Sequence, residues 1–372
     1  MTTEDTFLGG GAMGQVWKHK SRSPKTDVAR KVFSSEHGYK AEAHYMSDCR
    51  LLADAGFRYA NFVVAYFGDG HLEPGKYMID MELADGDLFS LAFTSSGIPT
   101  HCPLLPTEKH FTKVIDNALS GLVFLHEECG IMHNDIKPQN LLWFRDGTVK
   151  IGDLGSCTYV SNKRCGMGTL GYAAPEAYSD DFCRGDAEAD SHGGYGKSDV
   201  FSLGIALCFV ADGGFPYNLP ESVLSAFRHL NGTCESQREQ AMQQLCATAS
   251  EFYAHDFKAL TLTGQNLNSV SMSAALLVAE MTQPFARRRQ SASKCLLKLR
   301  VYDRGAAKCA DAKTQALGPR CVDAQMDVFC TAVAETQALG SCCVDAEPDV
   351  FCTAVENAER GTEMTEAADA RV

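Results

Sequence analysis

The sequence predicts an α+β fold in which a small, sheet-rich lobe precedes a larger, helical lobe. Over roughly the first 85 residues, short runs of β-branched and aromatic residues alternate with glycine and polar residues, as in strands joined by turns. The predicted strands are Asp27–Phe33, Phe62–Phe67 and Tyr77–Leu83, and the glycine-rich segment Leu8–Val16 is flanked by β-forming residues. One helix is expected among them, at Tyr39–Ala53.

From about residue 86, apolar residues recur with the period of an α-helix. One helical face is predicted from apolar residues spaced three and four apart, namely Phe111, Val114, Ile115, Ala118, Leu119, Leu122 and Leu125. The stretch Asp199–Asp212 is apolar on almost every side, which predicts a helix buried in the middle of its lobe. Further helical stretches are expected around 221–253 and 272–300.

The charge of the chain limits the partners it can have. The 34 basic and 47 acidic residues give a formal net charge of −13. From residue 301 onward there are 6 basic and 13 acidic residues, so this stretch alone contributes −7. We therefore expect neither nucleic acid nor an anionic membrane as the main partner.

The last part of the chain carries an internal repeat. Thr314–Val333 and Thr336–Val355 are identical at 16 of 20 positions and lie 22 residues apart. Two copies are too few to bury the continuous core of a solenoid. We interpret them as a tandem duplication in a loosely ordered, acidic, cysteine-containing tail at 301–372. The folded domain is then expected at 2–300, with its lobes at about 2–84 and 85–300.

The cysteines and the apolar runs bear on location. The chain has 16 cysteines, but its N-terminus has neither the basic nor the apolar region of a signal peptide. The longest apolar run, Leu203–Ala211, is too short to cross a bilayer. We expect mostly reduced thiols and an intracellular protein, cytoplasmic or nuclear, with no membrane association.

A glycine-rich segment near the N-terminus is a candidate phosphate-binding loop. It has the pattern G-x-G-x-x-G-x-V, formed by Gly9, Gly11, Gly14 and Val16. Glycine lets the backbone approach phosphate oxygens closely. The pattern alone also fits a dinucleotide-binding fold or a simple hairpin, but a dinucleotide site needs a helix next, and here a strand follows.

That following strand carries a candidate phosphate-binding lysine. Lys31 lies 17 residues after Gly14, and its ammonium could bind phosphate oxygens if a carboxylate holds it in place. Our candidate carboxylate is Glu42 on the predicted helix, where Met46 lies one turn later and could pack into the core. Asp48 is the alternative, although its side chain is shorter.

The most informative segment runs from His133 to Gly155. It contains His133-Asn134-Asp135-Ile136-Lys137-Pro138-Gln139-Asn140 and, thirteen residues after Asn140, Asp153-Leu154-Gly155. These runs resemble the H-R-D-x-K-P-x-N and D-F-G signatures of the eukaryotic protein kinase family, serine/threonine type. Gly168–Glu176 and Lys197–Gly204 resemble the family's substrate-docking segment and the start of its buried helix.

The resemblance implies a bilobal protein kinase fold with ATP and Mg²⁺ in the cleft between the lobes. Asp135 would be the catalytic base that orients the substrate hydroxyl, and Lys137 would reach the γ-phosphate. Asn140 and Asp153 would hold Mg²⁺ through oxygen ligands.

The same resemblance assigns the other ATP contacts and two structural pairs. The expected ATP contacts are Gly9, Gly11, Gly14, Val16, Ala29, Lys31, Glu42, Met81, Glu82, Leu83, Asp87 and Leu142. Among these, Met81 would be the gatekeeper, Glu82 and Leu83 would meet adenine, and Asp87 would face the ribose. Asp199 would brace the catalytic loop, and Arg289 would pair with Glu176.

Some positions depart from the family pattern. Asn134 replaces the arginine that pairs with an activation-loop phosphate, so activation by that route is not expected. Leu154 replaces phenylalanine, which changes packing and not metal chemistry. Ser179–Gly196 is interpreted as an inserted surface loop.

Two functions from different classes follow from this pattern. The first is an active kinase that acts on serine and threonine of proteins. The second is an ATP-binding scaffold without catalysis, which the short interval between Lys31 and Glu42 would favour. The presence of Lys31, Asp135, Asn140 and Asp153 favours the enzyme. A kinase for small molecules is disfavoured by the docking-type segment.

Overall fold

The computed structural model describes residues 5–11, 14–20, 26–92, 108–162, 168–179, 196–257 and 271–315. The chain divides into two units, Met1–Ala306 and Ala307–Val372, and the structure describes only 307–315 of the second. Nearly all of the predicted duplication and of the predicted insertion lies outside the described residues.

An antiparallel sheet forms the N-lobe, as the strand pattern predicts. Its strands are β1 (Thr6–Gly11), β2 (Gly14–Lys20), β3 (Asp27–Phe33), β4 (Tyr66–Glu73) and β5 (Lys76–Glu82). They lie side by side in the order β1-β2-β3-β5-β4. Val28 and Phe33 of β3 are fully buried, because this central strand has neighbours on both sides.

One predicted strand is wrong. The apolar run at 62–67 does not form a strand over its length, and β4 begins only at Tyr66. Val63 and Val64 are buried in a connection instead, where the Val64 N–H donates to Ile151 O at 2.9 Å. The residues of this run are apolar because they are buried, and not because they form a strand. The true strand contains Gly68 and Gly70 and two irregularities of register, which hid it from the pattern.

A long helix, α1 (Glu36–Asp54), packs against the sheet. Ser35 caps it by accepting a hydrogen bond from the Gly38 N–H at 3.4 Å. The buried residues of α1 form one stripe along the helix, made of Tyr39, Glu42, Met46 and Cys49. The stripe is apolar except at Glu42, so this carboxylate is carried into the interior by its neighbours.

The C-lobe is mainly helical. The helices that the structure describes there are α2 (Leu88–Ala92), α3 (Glu108–Val123), α4 (Lys197–Asp212), α5 (Glu221–Gly232), α6 (Arg238–His255), α7 (Met272–Met281) and α8 (Ala292–Gln315). Short strands accompany them, namely β6 (Gly86–Asp87), β7 (Ile131–Met132), β8 (Leu141–Trp143), β9 (Val149–Ile151) and β10 (Thr158–Tyr159). The strands pair as β6-β8-β9 and β7-β10.

The two helices with the clearest sequence pattern form the centre of this lobe. All seven apolar residues of the predicted face, from Phe111 to Leu125, are buried. Every residue of α4 except Asp212 is buried as well. Both predictions are confirmed, because a continuous apolar surface must pack against other elements.

Two longer helical predictions need correction. The stretch 221–253 is two helices, since α5 ends at Gly232 and α6 begins at Arg238. The stretch 272–300 is also two helices, interrupted around Pro284, which cannot continue a helix. The second of them, α8, runs past the expected boundary at 300 to Gln315. No helix among the described residues is long and apolar enough to cross a membrane.

Candidate active site

The predicted catalytic loop, residues 133–140, lies between β7 and β8. Two of its polar side chains meet a third from the docking segment. Asp135 Oδ2 accepts a hydrogen bond from Lys137 Nζ at 2.7 Å, and Asp135 Oδ1 accepts one from the Thr169 hydroxyl at 2.6 Å. Lys137 Nζ also donates to Thr169 Oγ1 at 2.9 Å, which closes the triangle. The sequence placed Thr169 only in a docking segment, because nothing local reveals a contact across 34 residues.

A glycine allows this close approach. Gly168 has a φ of +57°, and an added Cβ would lie 2.5 Å from Asn134 O. Any other residue would clash with the backbone of the catalytic loop and would resist this torsion. The docking segment can therefore lie against the loop only with glycine before Thr169.

A buried carboxylate holds the beginning of the catalytic loop. Asp199, at the start of α4, is 1% exposed, and it accepts hydrogen bonds from the backbone N–H groups of His133 at 2.7 Å and Asn134 at 2.8 Å. His126 Nε2 lies 2.8 Å from Asp199 Oδ2 and was missed in the sequence. Burial tends to raise the pKa of Asp199, but the hydrogen bond and charge of His126 outweigh it and lower the pKa. The loop is thus braced at two consecutive amides.

Backbone hydrogen bonds bring the candidate metal ligands Asn140 and Asp153 close to the loop that carries Asp135. Asn140 Nδ2 donates to Asp135 O at 2.8 Å, so its side-chain oxygen is the atom that can bind a cation. The Gly152 N–H donates to Asn140 O at 3.0 Å, and this places the segment carrying Asp153 beside the catalytic loop. Asp153 has a φ of 59°, a left-handed torsion that aspartate tolerates better than most residues.

The donor set fits Mg²⁺ bound together with phosphate. Mg²⁺ takes one or two protein carboxylate ligands and completes its shell with water and phosphate oxygens. Within the described part of the chain, no group of three or more His, Cys, Asp or Glu side chains is arranged to hold a metal. One amide oxygen and one carboxylate therefore suit a cation that arrives with a nucleotide.

A buried ion pair connects the sheet to α1. Lys31 Nζ lies 2.7 Å from Glu42 Oε2 and 2.7 Å from Asp153 Oδ1. Burial lowers the pKa of Lys31, but the charges of Glu42 and Asp153 more than offset this and the pKa is raised. Asp48 does not take the place of Glu42, because its carboxylate accepts a hydrogen bond from the Tyr159 hydroxyl at 2.5 Å.

The two acidic partners of Lys31 differ in their pKa values. Burial raises the pKa of Glu42 to about 7, and the charge of Lys31 offsets this only in part. For Asp153, burial also acts to raise the pKa, but the charge and hydrogen bond of Lys31 dominate, so the pKa is lowered. Asp153 thus holds its negative charge more firmly than Glu42.

The remaining expected ATP contacts lie on strands of both lobes or next to them. Gly9 and Gly11 are on β1, Gly14 and Val16 on β2, Ala29 on β3, Met81 and Glu82 on β5, Leu83 just after β5, Asp87 on β6, and Leu142 on β8. Adjacent strands pair Val16 with Lys31, and Ala29 with Met81. Gly14 lies so close to β3 that an added Cβ would be 2.5 Å from Val32 O.

Two of these residues have partners within the protein. The carboxylate of Glu82 accepts hydrogen bonds from Lys150 Nζ at 2.7 and 2.8 Å, a pair that the sequence did not reveal. Asp87 Oδ1 accepts a hydrogen bond from the Ser90 N–H at 2.7 Å at the start of α2, and burial raises the pKa of Asp87.

Asn134 has a structural role in place of the family's arginine. Its side-chain amide donates to Ser156 O at 3.1 Å and to Thr158 Oγ1 at 2.9 Å. Its φ is 64°, a torsion for which asparagine is well suited. A neutral amide therefore ties the segment after Asp153 to the catalytic loop without any phosphate.

The predicted pair between Arg289 and Glu176 is present and buried. Arg289 donates to the Glu176 carboxylate and, at 2.6 Å, to Lys197 O. Arg289 is 1% exposed. The docking segment and the start of α4 are thereby joined to the connection before α8.

A sheet-rich lobe followed by a helical lobe, with a loop that carries Asp135 and Lys137 and a buried ion pair between Lys31 and Glu42, is the architecture of the protein kinases. The protein kinase domain profile matches residues 2–299, so the chain belongs to this family. The predicted family and fold class are confirmed.

Curated relatives support the serine/threonine class. The chain is 33% identical over 233 residues to serine/threonine-protein kinase STE20 of Eremothecium gossypii, which is 61% of this chain and 21% of that protein. It is 32% identical over 209 residues to dual specificity protein kinase shkE of Dictyostelium discoideum, covering 54% and 26%. For serine/threonine-protein kinase grp of Drosophila melanogaster the identity is 29% over 231 residues, covering 59% and 40%. The match thus spans well under half the length of each of these relatives.

Proposed function

We propose that this chain transfers the γ-phosphoryl group of ATP to serine and threonine hydroxyls of proteins. The observation that carries the proposal is the closed arrangement of Asp135, Lys137 and Thr169, beside a Lys31 that is already paired with Glu42 and Asp153. A scaffold that only binds nucleotide would need Lys31 but not this arrangement at Asp135.

Each residue has a defined task in this proposal. Asp135 orients the substrate hydroxyl and accepts its proton, while Lys137 neutralises charge that develops on the transferred group. Lys31, held by Glu42, binds the α- and β-phosphates. Bound Mg-ATP would supply the phosphoryl group and the cation that screens its charge, with Asn140 and Asp153 as the protein ligands.

The other contacts complete the nucleotide site. The proposed adenine, ribose and loop contacts are Gly9, Gly11, Gly14, Val16, Ala29, Met81, Glu82, Leu83, Asp87 and Leu142. Because the Glu82 carboxylate is engaged by Lys150, we propose that Glu82 contributes through its backbone. An intracellular location, cytoplasmic or nuclear, and protein substrates without nucleic acid or membrane partners remain part of the same proposal.

The test is γ-phosphate transfer from labelled ATP to a general protein substrate. Asp135→Ala and Asp153→Ala are expected to lower the transfer rate by about 10²- to 10⁴-fold, since each removes a group that acts on the reacting atoms. Asp256→Ala, which changes an exposed aspartate after α6, is the matched control and should retain full activity.

The outcomes separate the enzyme from the scaffold. Equal transfer by the wild type and Asp153→Ala would refute the proposal. Tight ATP binding by the wild type without transfer would identify the scaffold. Acid hydrolysis of the labelled product should yield phosphoserine and phosphothreonine. Phosphotyrosine would instead indicate the dual specificity named for the Dictyostelium relative.

A further inference from the structure

Two thiols from different lobes are in contact. Cys49 is buried on α1, and Cys129 follows the π-helical turn Phe124–Glu128 at the end of α3. Their Sγ atoms lie 3.8 Å apart, although 80 residues separate them in the chain. Neither thiol takes part in the proposed phosphoryl transfer.

Their positions connect them to the site. Cys49 lies seven residues, about two helical turns, after Glu42 on the same buried stripe of α1. Cys129 lies just before β7, which leads directly into the catalytic loop. A bond between the two sulfurs would therefore tie the helix that carries Glu42 to the strand that precedes Asp135.

We propose that Cys49 and Cys129 form a reversible disulfide when the protein meets a peroxide, and that this bond holds α1 where Glu42 contacts Lys31. The thiols touch in the same arrangement in which that ion pair is formed. The bond itself is independent of the proposed kinase function, and only its effect on activity rests on that function.

The geometry is close to what the bond requires. A disulfide has an S–S length of about 2.05 Å, so the two sulfurs must approach by a little under 2 Å, which side-chain rotation and a small helix shift can provide. Cys129 is only half-buried, so it is the thiol of the pair that peroxide can reach from solvent.

The chemistry assigns the order of events. The hydrogen bond with Cys129 and then burial raise the pKa of Cys49, so Cys49 stays protonated. Cys129 is only half-buried, so its sulfur is the more accessible of the two and attacks the peroxide first. Its sulfur forms a bond to one peroxide oxygen, the O–O bond breaks, and the departing hydroxide takes the proton that Cys129 releases and becomes water.

The second step closes the disulfide. The Cys49 sulfur attacks the sulfenic acid of Cys129, the S–O bond breaks, and the hydroxide leaves as water with the proton of Cys49. Two thiols and one peroxide thus give one disulfide and two waters, with two electrons passing from sulfur to oxygen. A dithiol reductant reverses the bond by exchange.

A third thiol is the natural competitor. Cys157 is also buried, and burial followed by the charges of Asp199 and Glu42 raises its pKa well above the ordinary value. Because Cys129 Sγ lies 3.8 Å from Cys49 Sγ, we expect Cys49 to form the bond and Cys157 to remain reduced. Any bond from Cys129 to Cys157 would contradict the assignment.

The experiment uses the full chain in its reduced form. The protein is treated with hydrogen peroxide, free thiols are alkylated, and unreduced peptides are mapped by mass spectrometry. We expect a linked peptide pair that contains Cys49 and Cys129 and that disappears on reduction. Cys234 is exposed, and its hydrogen bond with Ser236 lowers its pKa. Oxidation of Cys234 is the internal control that shows that the peroxide treatment was effective.

Each result decides the proposal. If Cys234 is oxidised while Cys49 and Cys129 are both recovered alkylated, the proposal fails. It also fails if either thiol is linked to any other cysteine of the chain. The Cys129→Ser variant should lose the link, whereas Cys246→Ser, a partly exposed thiol on α6, should keep it.

Hydrogen exchange tests the second half of the inference. On oxidation, the α1 amides of the wild type should exchange at least tenfold more slowly. In Cys129→Ser their exchange rates should not change. A linked protein with unchanged α1 exchange would overturn the positioning role. These readouts need no phosphoryl transfer, so failure of the kinase proposal would be recognised separately.

Discussion

Both lobes place a buried carboxylate next to the candidate site, but they hold it differently. In the C-lobe, Asp199 accepts hydrogen bonds from two backbone amides and lies beside His126, and its pKa is lowered. In the N-lobe, Glu42 has one charged partner, Lys31, and its pKa is raised to about 7. Burial acts against the charge in both cases.

Both carboxylates are buried, so the opposite directions of their pKa shifts reflect the partners that surround them. Several donors repay the desolvation of Asp199, whereas the single ammonium repays that of Glu42 only in part. We therefore expect the loop that carries Asp135 to be held more firmly than α1, because the partners of Asp199 offset its burial more fully than Lys31 offsets that of Glu42.

The largest effect is expected from removal of the C-lobe brace. Asp199→Ala leaves the amides of His133 and Asn134 buried without their acceptor, which should cost about 3 kcal/mol of unfolding free energy. Transfer activity should fall as well, since the loop that carries Asp135 loses its support. Denaturant unfolding measures the first, and kcat the second. A loss below about 1 kcal/mol would show that the brace is weak.

The matching change in the N-lobe should separate activity from stability. Glu42→Gln removes the charge that holds Lys31, so kcat/KM for ATP should fall by about 10²-fold. Stability should change by less than about 1 kcal/mol, because a neutral side chain is cheaper to bury at this position. Kinetics and thermal unfolding of the same preparation test both statements. A stability loss as large as that of Asp199→Ala would remove the contrast between the lobes.

The raised pKa of Glu42 predicts opposite pH trends for stability and activity. The folded protein retains the proton of Glu42 up to about pH 7, above its ordinary value of 4.5, so this group's stabilising contribution is full below 4.5 and is lost as pH rises through 7. The ion pair needs the charged form, so kcat/KM should fall about fivefold from pH 7 to 6. In Glu42→Gln, kcat/KM should not show this fall between pH 7 and 6. Any pH dependence that comes from the ionisation of ATP should remain.

The smallest effect on activity is expected at Asn134. Asn134→Ala removes two hydrogen bonds to the segment after Asp153 and places alanine in a left-handed torsion, at a cost of about 1–2 kcal/mol. Equilibrium denaturation of the wild type and the variant measures this loss of unfolding free energy. Activity should fall only modestly, and phosphatase treatment of the wild type should leave it unchanged. Inactivation by phosphatase would show that the neutral contact does not replace a phosphate.

Local patterns were sufficient for part of the structure. Strand β3 agrees with its predicted bounds of Asp27–Phe33, and the apolar faces of α3 and α4 are buried as expected. The strand expected at 62–67 was wrong, since an apolar run records burial and not backbone conformation. Gly68 and Gly70 concealed β4, whose pairing with β5 depends on a neighbour rather than on its own composition.

The sequence by itself determined the family of this protein and predicted its chemistry. The order and spacing of Lys31, Asp135, Asn140 and Asp153 can be recognised in the sequence, because each lies in a short segment with a local pattern of its own. Tertiary structure decided which groups meet: Glu42 rather than Asp48 at Lys31, Thr169 at Asp135, and Cys49 at Cys129. Contacts that span from 11 to 80 residues depend on how helices and strands pack, and no short stretch of sequence contains that information.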